Sequence, residues 1–377
     1  MRRYFAIIAI LAAAVSSCVY PYELPELTRE QAFLVVDGSI VVGKEASLRI
    51  SWMNKDGVSY SYTNPDEWWV EDENGTRYIP ERGKQWIDLS QAPTDRSYRM
   101  VVKTEGKTYS SSLEKGIDKP MIESIDFGTD EARVYCNVSL KESDTGTGYV
   151  ALSFEEIWQF HAQYPDQYEL KEIEPGSEET PGVYVVLERE KPYEARYWCW
   201  RYSNTGQETL VDLTNLSGAA KDYRLTSFAR NGERNHGDYT IKVHARSISE
   251  AEYRFRRNLE SSSMGFNLFT PNPGEVAGNV RCEEDPSQRV MGYVTLSLFT
   301  SQEAHLDARF YRYTDPGTAG FVEPAPYEYW LYYYEYRFRP IVPDYSSDDM
   351  NIPILWGPAR CIDCVEDGGS LEKPSFK

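Results

Sequence analysis

The sequence predicts a mainly β protein made of successive sandwich-like units. Three observations carry this prediction. The composition is rich in strand-forming aromatic residues and turn residues, with 29 Tyr, 14 Phe, 9 Trp, 25 Gly and 21 Pro. Short runs that alternate polar and apolar residues recur along the chain, separated by turn signals. One segment alone carries a convincing helical period, so helices are predicted to be a minor part of the fold.

Residues 32–119 contain the most regular strand pattern. Phe33–Gly38 is an apolar run that ends in a turn signal, and Ser47–Trp52 alternates with period two. Asn74-Gly75 lies between two strand-like runs, which predicts a hairpin with a type I′ turn. A second hairpin is predicted around Glu105-Gly106. Several short strands at this spacing predict an Ig-like or transthyretin-like β-sandwich over 32–119.

Residues 120–377 are predicted to form a further β-rich, sandwich-like region of one or two subdomains. Asp166–Gly182, rich in Glu, Pro and Gly, is predicted to be an exposed loop. The segments with strand patterns are Ala132–Leu140, Tyr149–Phe160, Tyr193–Tyr202, Val290–Phe299, Ala308–Tyr313 and Tyr327–Phe338.

The single predicted helix, a short amphipathic one, covers about 249–262. Ser249 and Glu252 have the spacing of a capping box, in which the serine side chain caps the first turn. An apolar stripe with a four-residue repeat follows, which predicts one buried helix face. Its residues are Ala251, Phe255 and Leu259.

The N-terminus has the layout of a bacterial lipoprotein signal. Arg2 and Arg3 precede the apolar stretch Phe5–Val15, and small residues lead into Cys18. The stretch is shorter than the roughly 20 apolar residues that span a bilayer. Residues 1–17 are therefore predicted to be a removed signal, Cys18 the site of lipid attachment and 18–31 a tether. The alternative is an ordinary secretory signal that ends in a chance cysteine.

Charge excludes one class of partner. Without residues 1–17 the chain has 360 residues, with 38 basic and 59 acidic side chains and a formal net charge of −21. Nucleic-acid binding requires a basic surface, so no nucleic-acid partner is expected. Anionic lipid head groups would repel the chain, so the predicted lipid must hold it at the membrane.

Five cysteines remain beside Cys18, and an exported chain permits disulfides. Because five is odd, at least one thiol is unpaired within the chain. The Cys361–Cys364 pair lacks the second Cys-x-x-Cys of a zinc ribbon, so structural disulfides are favoured. The C-terminal tail is predicted to be joined to the body through Cys199 or Cys282. The disulfide candidates are Cys199, Cys282, Cys361 and Cys364, and Cys136 is the fifth thiol.

Signatures of catalysis are missing from the sequence. It contains no Gly-x-Ser-x-Gly, no phosphate-binding glycine loop and no His-Glu-x-x-His. The four histidines have no metal-ligand spacing, and the acidic stretches Asp344–Asp349 and Glu366-Asp367 are typical of solvated loops. We therefore predict no enzymatic activity, no cofactor and no metal site.

The aromatic run Tyr327–Tyr336 is the candidate binding patch. Exposed Tyr and Trp are enriched at interfaces, and their ring faces stack on sugars. The favoured alternative is a strand whose rings alternate between core and solvent, with one ring face contributing to an interface. The candidate binding residues are Tyr329, Trp330, Tyr332 and Tyr334. Trp68-Trp69 and Trp86 leave the same two interpretations open.

Several motifs together resemble one family of lipoproteins. Besides the cysteine at position 18, they are Leu34–Gly38, Tyr197–Trp200, the helix from Ser249, Ala277–Cys282, Val290–Tyr293, and the ending Cys361–Cys364 with Gly368-Gly369 and Lys373–Phe376. The chain resembles the domain of unknown function 4249 family of Bacteroidota outer-membrane lipoproteins. Relatives tend to carry a further cysteine between the Gly-Tyr strand and the C-terminal pair, where this chain has none. The disulfide pairing of the family therefore does not transfer.

The resemblance implies a role in nutrient capture. Such proteins resemble outer-membrane lipoproteins encoded beside TonB-dependent transporters, and no catalytic residues are known that would transfer to this chain. The expected function is that of a lipid-anchored, surface-facing accessory protein that binds the transporter, its ligand or both. The alternative is an independent surface lipoprotein that binds a glycan or peptide.

Overall fold

The computed structural model describes residues 32–54, 60–116, 120–141, 148–177, 182–215, 221–263, 278–307, 323–324, 329–343 and 354–376. The signal, Cys18, the tether, the predicted strand Ala308–Tyr313 and the acidic stretch Asp344–Asp349 lie outside these residues. The described part is mainly β, as predicted, and consists of several sheets with two α-helices.

The first sandwich contains two sheets, here called sheets A and B. The strands of sheet A are β1 (Ala32–Val41), β2 (Glu45–Asn54), β3 (Tyr60–Thr63), β6 (Trp86–Asp88), β20 (Val290–Met291) and β21 (Val294–Ser297). The strands of sheet B are β4 (Glu67–Asp72), β5 (Arg77–Tyr78), β7 (Ser97–Thr104), β8 (Lys107–Ser111), β9 (Glu114–Lys115) and β19 (Val280–Cys282). Within the described residues, β3 forms one edge of sheet A and β5 one edge of sheet B.

The core of the first sandwich is filled from both sheets. Its buried side chains include Leu34, Val36, Ile50, Tyr98, Met100 and Tyr109. Strands β19 and β21, distant in sequence, add Val280, Cys282 and Leu296 to the same core. The linear division into 32–119 and 120–377 does not place these strands in the first sandwich. Alternation shows which face of a strand is buried, but it does not show which strand is its neighbour.

A glycine-asparagine motif explains how the late strands fit beside β1. Gly292 has φ +96°, and a Cβ there would lie 2.2 Å from the carbonyl oxygen of Val36. A Cβ on Gly278 would lie 1.8 Å from the carbonyl oxygen of Gly292. The Asn279 side chain pairs with the backbone of Val294, accepting from its N–H and donating to its carbonyl, both at 2.8 Å. The close backbone approach therefore requires glycine at both positions.

The two predicted hairpins are both present, with different turns. β4 and β5 pair around Asn74-Gly75, but of these two residues only Gly75 has positive φ. The Asp72 N–H donates to the Thr76 carbonyl at 3.0 Å, which leaves a three-residue loop, 73–75, with a left-handed glycine. The predicted type I′ turn is therefore wrong at this site. Between β7 and β8, both Glu105 and Gly106 have positive φ, as a type I′ turn requires.

The second sandwich also has two sheets, C and D. Sheet C contains β10 (Met121–Thr129), β11 (Arg133–Lys141) and β17 (Lys221–Ala229). Sheet D contains β12 (Tyr149–His161), β15 (Trp198–Asn204), β16 (Thr209–Asp212), β18 (Asp238–Ser247) and β22 (Phe299–Asp307). Glu156 is a buried carboxylate beside this core. It accepts hydrogen bonds from the Tyr239 hydroxyl at 2.6 Å and from Arg234 at 2.9 Å. Its charge is thereby compensated.

Helix α1 (Glu250–Ser263) lies where the sequence predicts it. Ser249 caps it as expected, because its Oγ accepts the N–H of Glu252 at 3.0 Å. The predicted buried stripe is wrong, since Ala251 and Leu259 are exposed and Phe255 is half-buried. Of the α1 side chains that the structure describes, residues 250–260, Glu252 alone is buried.

A network of ion pairs attaches α1 to the second sandwich. Arg246 of β18 donates to Glu208 through Nε and Nη2 at 2.6 Å each, and Nη2 also donates to Glu252 at 2.8 Å. Arg256 of α1 lies 2.5 Å from Glu208 and 3.1 Å from Glu252. Two ring contacts add to these ion pairs: Tyr253 stacks on Tyr149 at 4.5 Å and Phe255 lies 4.9 Å from Tyr293 between ring centroids. Because the buried residue is the charged Glu252, the hydrophobic period does not mark the buried face.

A hairpin in the middle of the chain and a small C-terminal sheet complete the described fold. β13 (Asp166–Glu174) pairs with β14 (Val183–Tyr193), so the prediction of an exposed loop over Asp166–Gly182 is wrong for residues 166–174, which form a strand. The Glu-, Pro- and Gly-rich composition of the whole segment does not reveal that the first residues of β13, 166–170, are half-buried. The small sheet contains β23 (Glu323–Pro324), β24 (Phe338–Pro343) and β25 (Ile354–Pro358).

The second helix, α2 (Trp330–Glu335), replaces most of the strand predicted over Tyr327–Phe338. Tyr327 and Glu328 lie outside the described residues, and β24 begins at Phe338. Trp330 and Tyr333 are three residues apart, and both rings lie near the buried ring of Trp356, at 6.1 and 6.2 Å between ring centroids. A turn of helix places both on one side, which overrides the strand propensity of the tyrosines.

Candidate ligand-binding site

A groove of about 890 Å³ opens at the edge of the first sandwich, with lining residues from both sheets. Its walls come from β2 and β3 of sheet A, from β4 and β5 of sheet B, and from the segments that follow β3 and β5. It therefore lies at the side of the sandwich where β3 and β5 are edge strands. We call it the first-sandwich groove.

Aromatic and apolar side chains form much of the wall of this groove. Tyr62 and Ile79 are 67 % and 68 % exposed, values that leave most of each side chain in contact with solvent. Trp69 also lines the groove but is only 7 % exposed, and Trp68 is half-buried. Trp86, which is exposed, follows the lining residues Lys84 and Gln85 in the chain. Two of the three predicted tryptophans, Trp68 and Trp69, therefore line the groove, and Trp86 is adjacent to it in the chain.

Positively charged groups lie over these rings. The guanidinium carbon of Arg77 is 4.6 Å from the Trp69 ring centroid, and Lys103 Nζ is 5.5 Å from it. Arg49 lies 5.9 Å from the Tyr62 ring centroid. Such contacts stabilise the cation electrostatically through the ring face.

Carboxylates balance part of this charge. Glu67 accepts from Lys103 at 3.1 Å, and Glu71 lies 3.7 Å from Arg77 and 3.3 Å from Arg99. The hydrogen bond from the Trp69 indole, together with the hydrogen bond and charge of Arg99 and the charge of Arg77, lowers the pKa of Glu71. Glu71 therefore stays ionised at neutral pH and holds Arg77 and Trp69 in place.

A sequence profile for the family described as domain of unknown function 4249 matches residues 19–303. The chain belongs to the DUF4249 family. No curated protein matches the sequence. The region matched by the DUF4249 profile includes the first-sandwich groove and strands β19 to β21, whereas α2 and the last two cysteines follow it.

The predicted binding residues of the aromatic run are not among those that line this groove: Tyr329 caps the N-terminus of α2, and the other three lie on α2. Tyr329, Tyr332 and Tyr334 are exposed, whereas Trp330 is half-buried and packs toward Trp356. Tyr334 borders a polar cavity of about 280 Å³ beside the β13–β14 hairpin. The interpretation as alternating strand residues is wrong, but the expected exposed ring face is present.

Two of the four cysteines predicted to form disulfides meet. Cys199 of β15 is bonded to Cys364, which joins the C-terminal tail to sheet D. The tail continues along β15, where Ser370 and Trp200 exchange backbone hydrogen bonds of 2.7 and 2.8 Å. Cys361 is buried near Ile341 and Ile362, and Cys282 is a buried thiol of the first sandwich. The sequence left Cys199 and Cys282 as alternative attachment points for the tail, and the disulfide in the structure is formed by Cys199.

Cys136 is a buried thiol in the core of the second sandwich. Burial, followed by the nearby charges of Glu156 and Asp126, raises its pKa to about 12. A protonated thiol is a poor nucleophile. Cys136 therefore acts as a small apolar core residue.

The histidines take part in packing. His161 and His236 stack at 4.3 Å between ring centroids, and the Nδ1 of His236 accepts the His161 N–H at 3.4 Å. His244 lies 2.9 Å from Glu155, which also accepts the Tyr202 hydroxyl at 2.7 Å. Within the described ranges, no group of three or more His, Cys, Asp or Glu side chains is arranged to hold a metal. Within the same described ranges, no helix is long and apolar enough to cross a membrane.

His236 gives the protein an acid-sensitive step. Burial, followed by the charge of His161, lowers the His236 pKa from 6.5 to about 4. The unfolded chain therefore takes up this proton first, and the stability of the folded state falls as the pH drops from 6.5 to 4. The loss is at most about 3 kcal/mol, and less because the ring is partly exposed.

The variant His236→Gln should flatten this part of the pH profile. The measurement is the urea-unfolding free energy of both proteins between pH 7.5 and 4. Substitution of the exposed His305 by Gln is the matched control and should leave the slope unchanged. An identical slope in wild type and His236→Gln would contradict the assignment.

Proposed function

We propose that this DUF4249 protein is a lipid-anchored accessory protein of the outer membrane that binds a ligand in the first-sandwich groove. It works beside a TonB-dependent transporter, faces the cell surface and carries out no catalysis. The anchor and the transporter come from the predicted lipid site at Cys18 and from the family resemblance.

The observation that carries the proposal is the groove itself. Ligand sites are typically concave, with apolar and aromatic walls and a few polar groups that set orientation. The first-sandwich groove has this character, with Tyr62, Ile79 and Trp68 beside Arg49 and Arg77. The α2 tyrosines form an exposed ring face beside a smaller, mostly charged cavity. The groove is therefore the better ligand site.

Tyr62→Ala tests the groove. The exposed ring offers a stacking surface, so we expect its removal to weaken ligand binding about tenfold, which is about 1.4 kcal/mol. The measurement is calorimetry on the mature chain in detergent with hits from glycan and peptide arrays. Tyr332→Ala on α2 is a matched control, because Tyr332 is 54 % exposed. If Tyr332→Ala loses binding and Tyr62→Ala binds like wild type, the ligand site lies on α2 and not in the groove.

A pull-down distinguishes accessory function from independent binding. The tagged mature chain is recovered from detergent-solubilised outer membrane, and the co-purified proteins are identified by mass spectrometry. We expect a TonB-dependent transporter in stoichiometric amounts. Repeated recovery of the chain alone, with ligand binding intact, would favour an independent glycan- or peptide-binding lipoprotein.

A further inference from the structure

Trp69 supports a cation in the first-sandwich groove and does not stack on a sugar. Its side chain is almost fully buried, and Arg77 and Lys103 both lie over the ring. A guanidinium over an aromatic face is held in one place while its N–H groups remain available. The Arg77 side chain is itself 60 % exposed, so it can still donate to a ligand.

Arg49 is the second cation of the groove. It projects from the outer face of sheet A, is exposed, and lies near the ring of Tyr62. Its cross-strand neighbour is Asp37, which interacts with it electrostatically. By contrast, Lys84 lies 2.6 Å from Glu81. Arg49 and Arg77 are the two arginines that line the groove; Arg77 lies 3.7 Å from Glu71, but both side chains are exposed, so both can still donate to an incoming anion.

The lining acids lie on a different segment. Asp66 lies in the connection between β3 and β4, and Glu67 is the first residue of β4, whereas Arg49 is on β2 and Arg77 on β5. Lys103 already compensates Glu67 at 3.1 Å. The two lining arginines therefore come from different sheets, Arg49 from sheet A and Arg77 from sheet B, with the lining acids on the segment that leads from one sheet to the other.

We infer that the ligand of this groove is an acidic oligosaccharide, with its carboxylates on Arg49 and Arg77 and a sugar ring on Tyr62. Guanidinium groups bind carboxylates in a two-point geometry. Hydroxyl and amide side chains along the walls are suited to sugar hydroxyls, namely those of Ser47, Thr63, Asn64 and Gln85. A peptide has fewer groups for them to bind. This inference rests on the proposed function and adds the class of ligand.

The test compares three probes on the full mature chain by calorimetry: a uronic-acid hexasaccharide from alginate, the neutral hexasaccharide of maltose units, and a poly-glutamate peptide. We expect the uronic-acid probe to bind at least tenfold more tightly than the other two. Arg49→Gln should remove about tenfold of that affinity and leave the weak neutral binding unchanged. Arg254→Gln on α1, an exposed arginine paired with Glu250, is the control and should bind like wild type.

The outcomes separate the two proposals. Tighter binding of the neutral hexasaccharide, with sensitivity to Tyr62→Ala, would overturn the acidic class and keep the groove as the site. Tighter binding of poly-glutamate would make the ligand an acidic peptide and overturn the inference. An equal loss for acidic and neutral probes in Arg49→Gln would also overturn it. If no array ligand depends on Tyr62, the proposed function itself fails. Unchanged melting temperatures show that the variants are folded.

Discussion

Reducing the Cys199–Cys364 disulfide should lower the free energy of unfolding by about 5 kcal/mol at 25 °C. The bond joins residues 165 positions apart, so it removes a large loop entropy from the unfolded chain. It also holds the tail on β15, where Ser370 pairs with Trp200. Native disulfides of exported domains typically contribute 2–5 kcal/mol, which places this one at the upper end.

The measurement is urea unfolding with and without a reductant, followed by tryptophan fluorescence. Cys364→Ser should reproduce the effect of the reductant and be insensitive to it. Cys282→Ala is the control, because this buried thiol forms no disulfide and its loss removes only a small apolar group. A midpoint that does not move on reduction would refute the assigned role.

Replacing Arg246 by Met should cost about 3–5 kcal/mol of stability. Arg246 is buried and compensates two carboxylates, those of Glu208 and Glu252. Its removal leaves Glu252, which is buried, with Arg256 as its remaining cation. Unfolding in urea at pH 7 measures the loss. Arg254→Met removes only a solvent-exposed pair with Glu250 and should cost about 0.5 kcal/mol.

This difference should depend on pH with a defined sign. Burial alone would raise the pKa of Glu208, but the hydrogen bonds and charges of Arg246 and Arg256 outweigh it and lower that pKa to about 2. The stabilisation is therefore complete above pH 4.5 and is lost as the pH falls toward 2. The difference in the free energy of unfolding between wild type and Arg246→Met should become smaller over that pH range. A gap below 1 kcal/mol at pH 7 would show that the network contributes little.

Local patterns predict the strands of this protein well and their partners poorly. Ser47–Trp52 alternates as a strand with one buried face, and β2 has that face. Nothing in the sequence of Val290–Ser297 shows that it pairs with β1, because pairing across more than 200 residues depends on the folded core. The burial of the Glu252 carboxyl also depends on the folded structure, because one of its two cations comes from β18 and the other from α1 itself.

The candidate site could be predicted in part. Trp68, Trp69 and Trp86 are aromatic candidates in the sequence, but the denser aromatic run Tyr327–Tyr336 is the stronger signal there. Tyr62, Arg49 and Arg77 were not selected, because each is an ordinary strand residue until β2, β3 and β5 meet at the edge of the sandwich. The groove is thus a property of the fold.

Hydrogen exchange with and without ligand tests the central claim most directly. The mature chain is saturated with the tightest array ligand, and amide exchange is followed by mass spectrometry. We predict slower exchange in the groove segments 62–67 and 79–85 and no change in 329–336. Protection of 329–336 with no change in the two groove segments would contradict the assignment of the ligand site to the first sandwich.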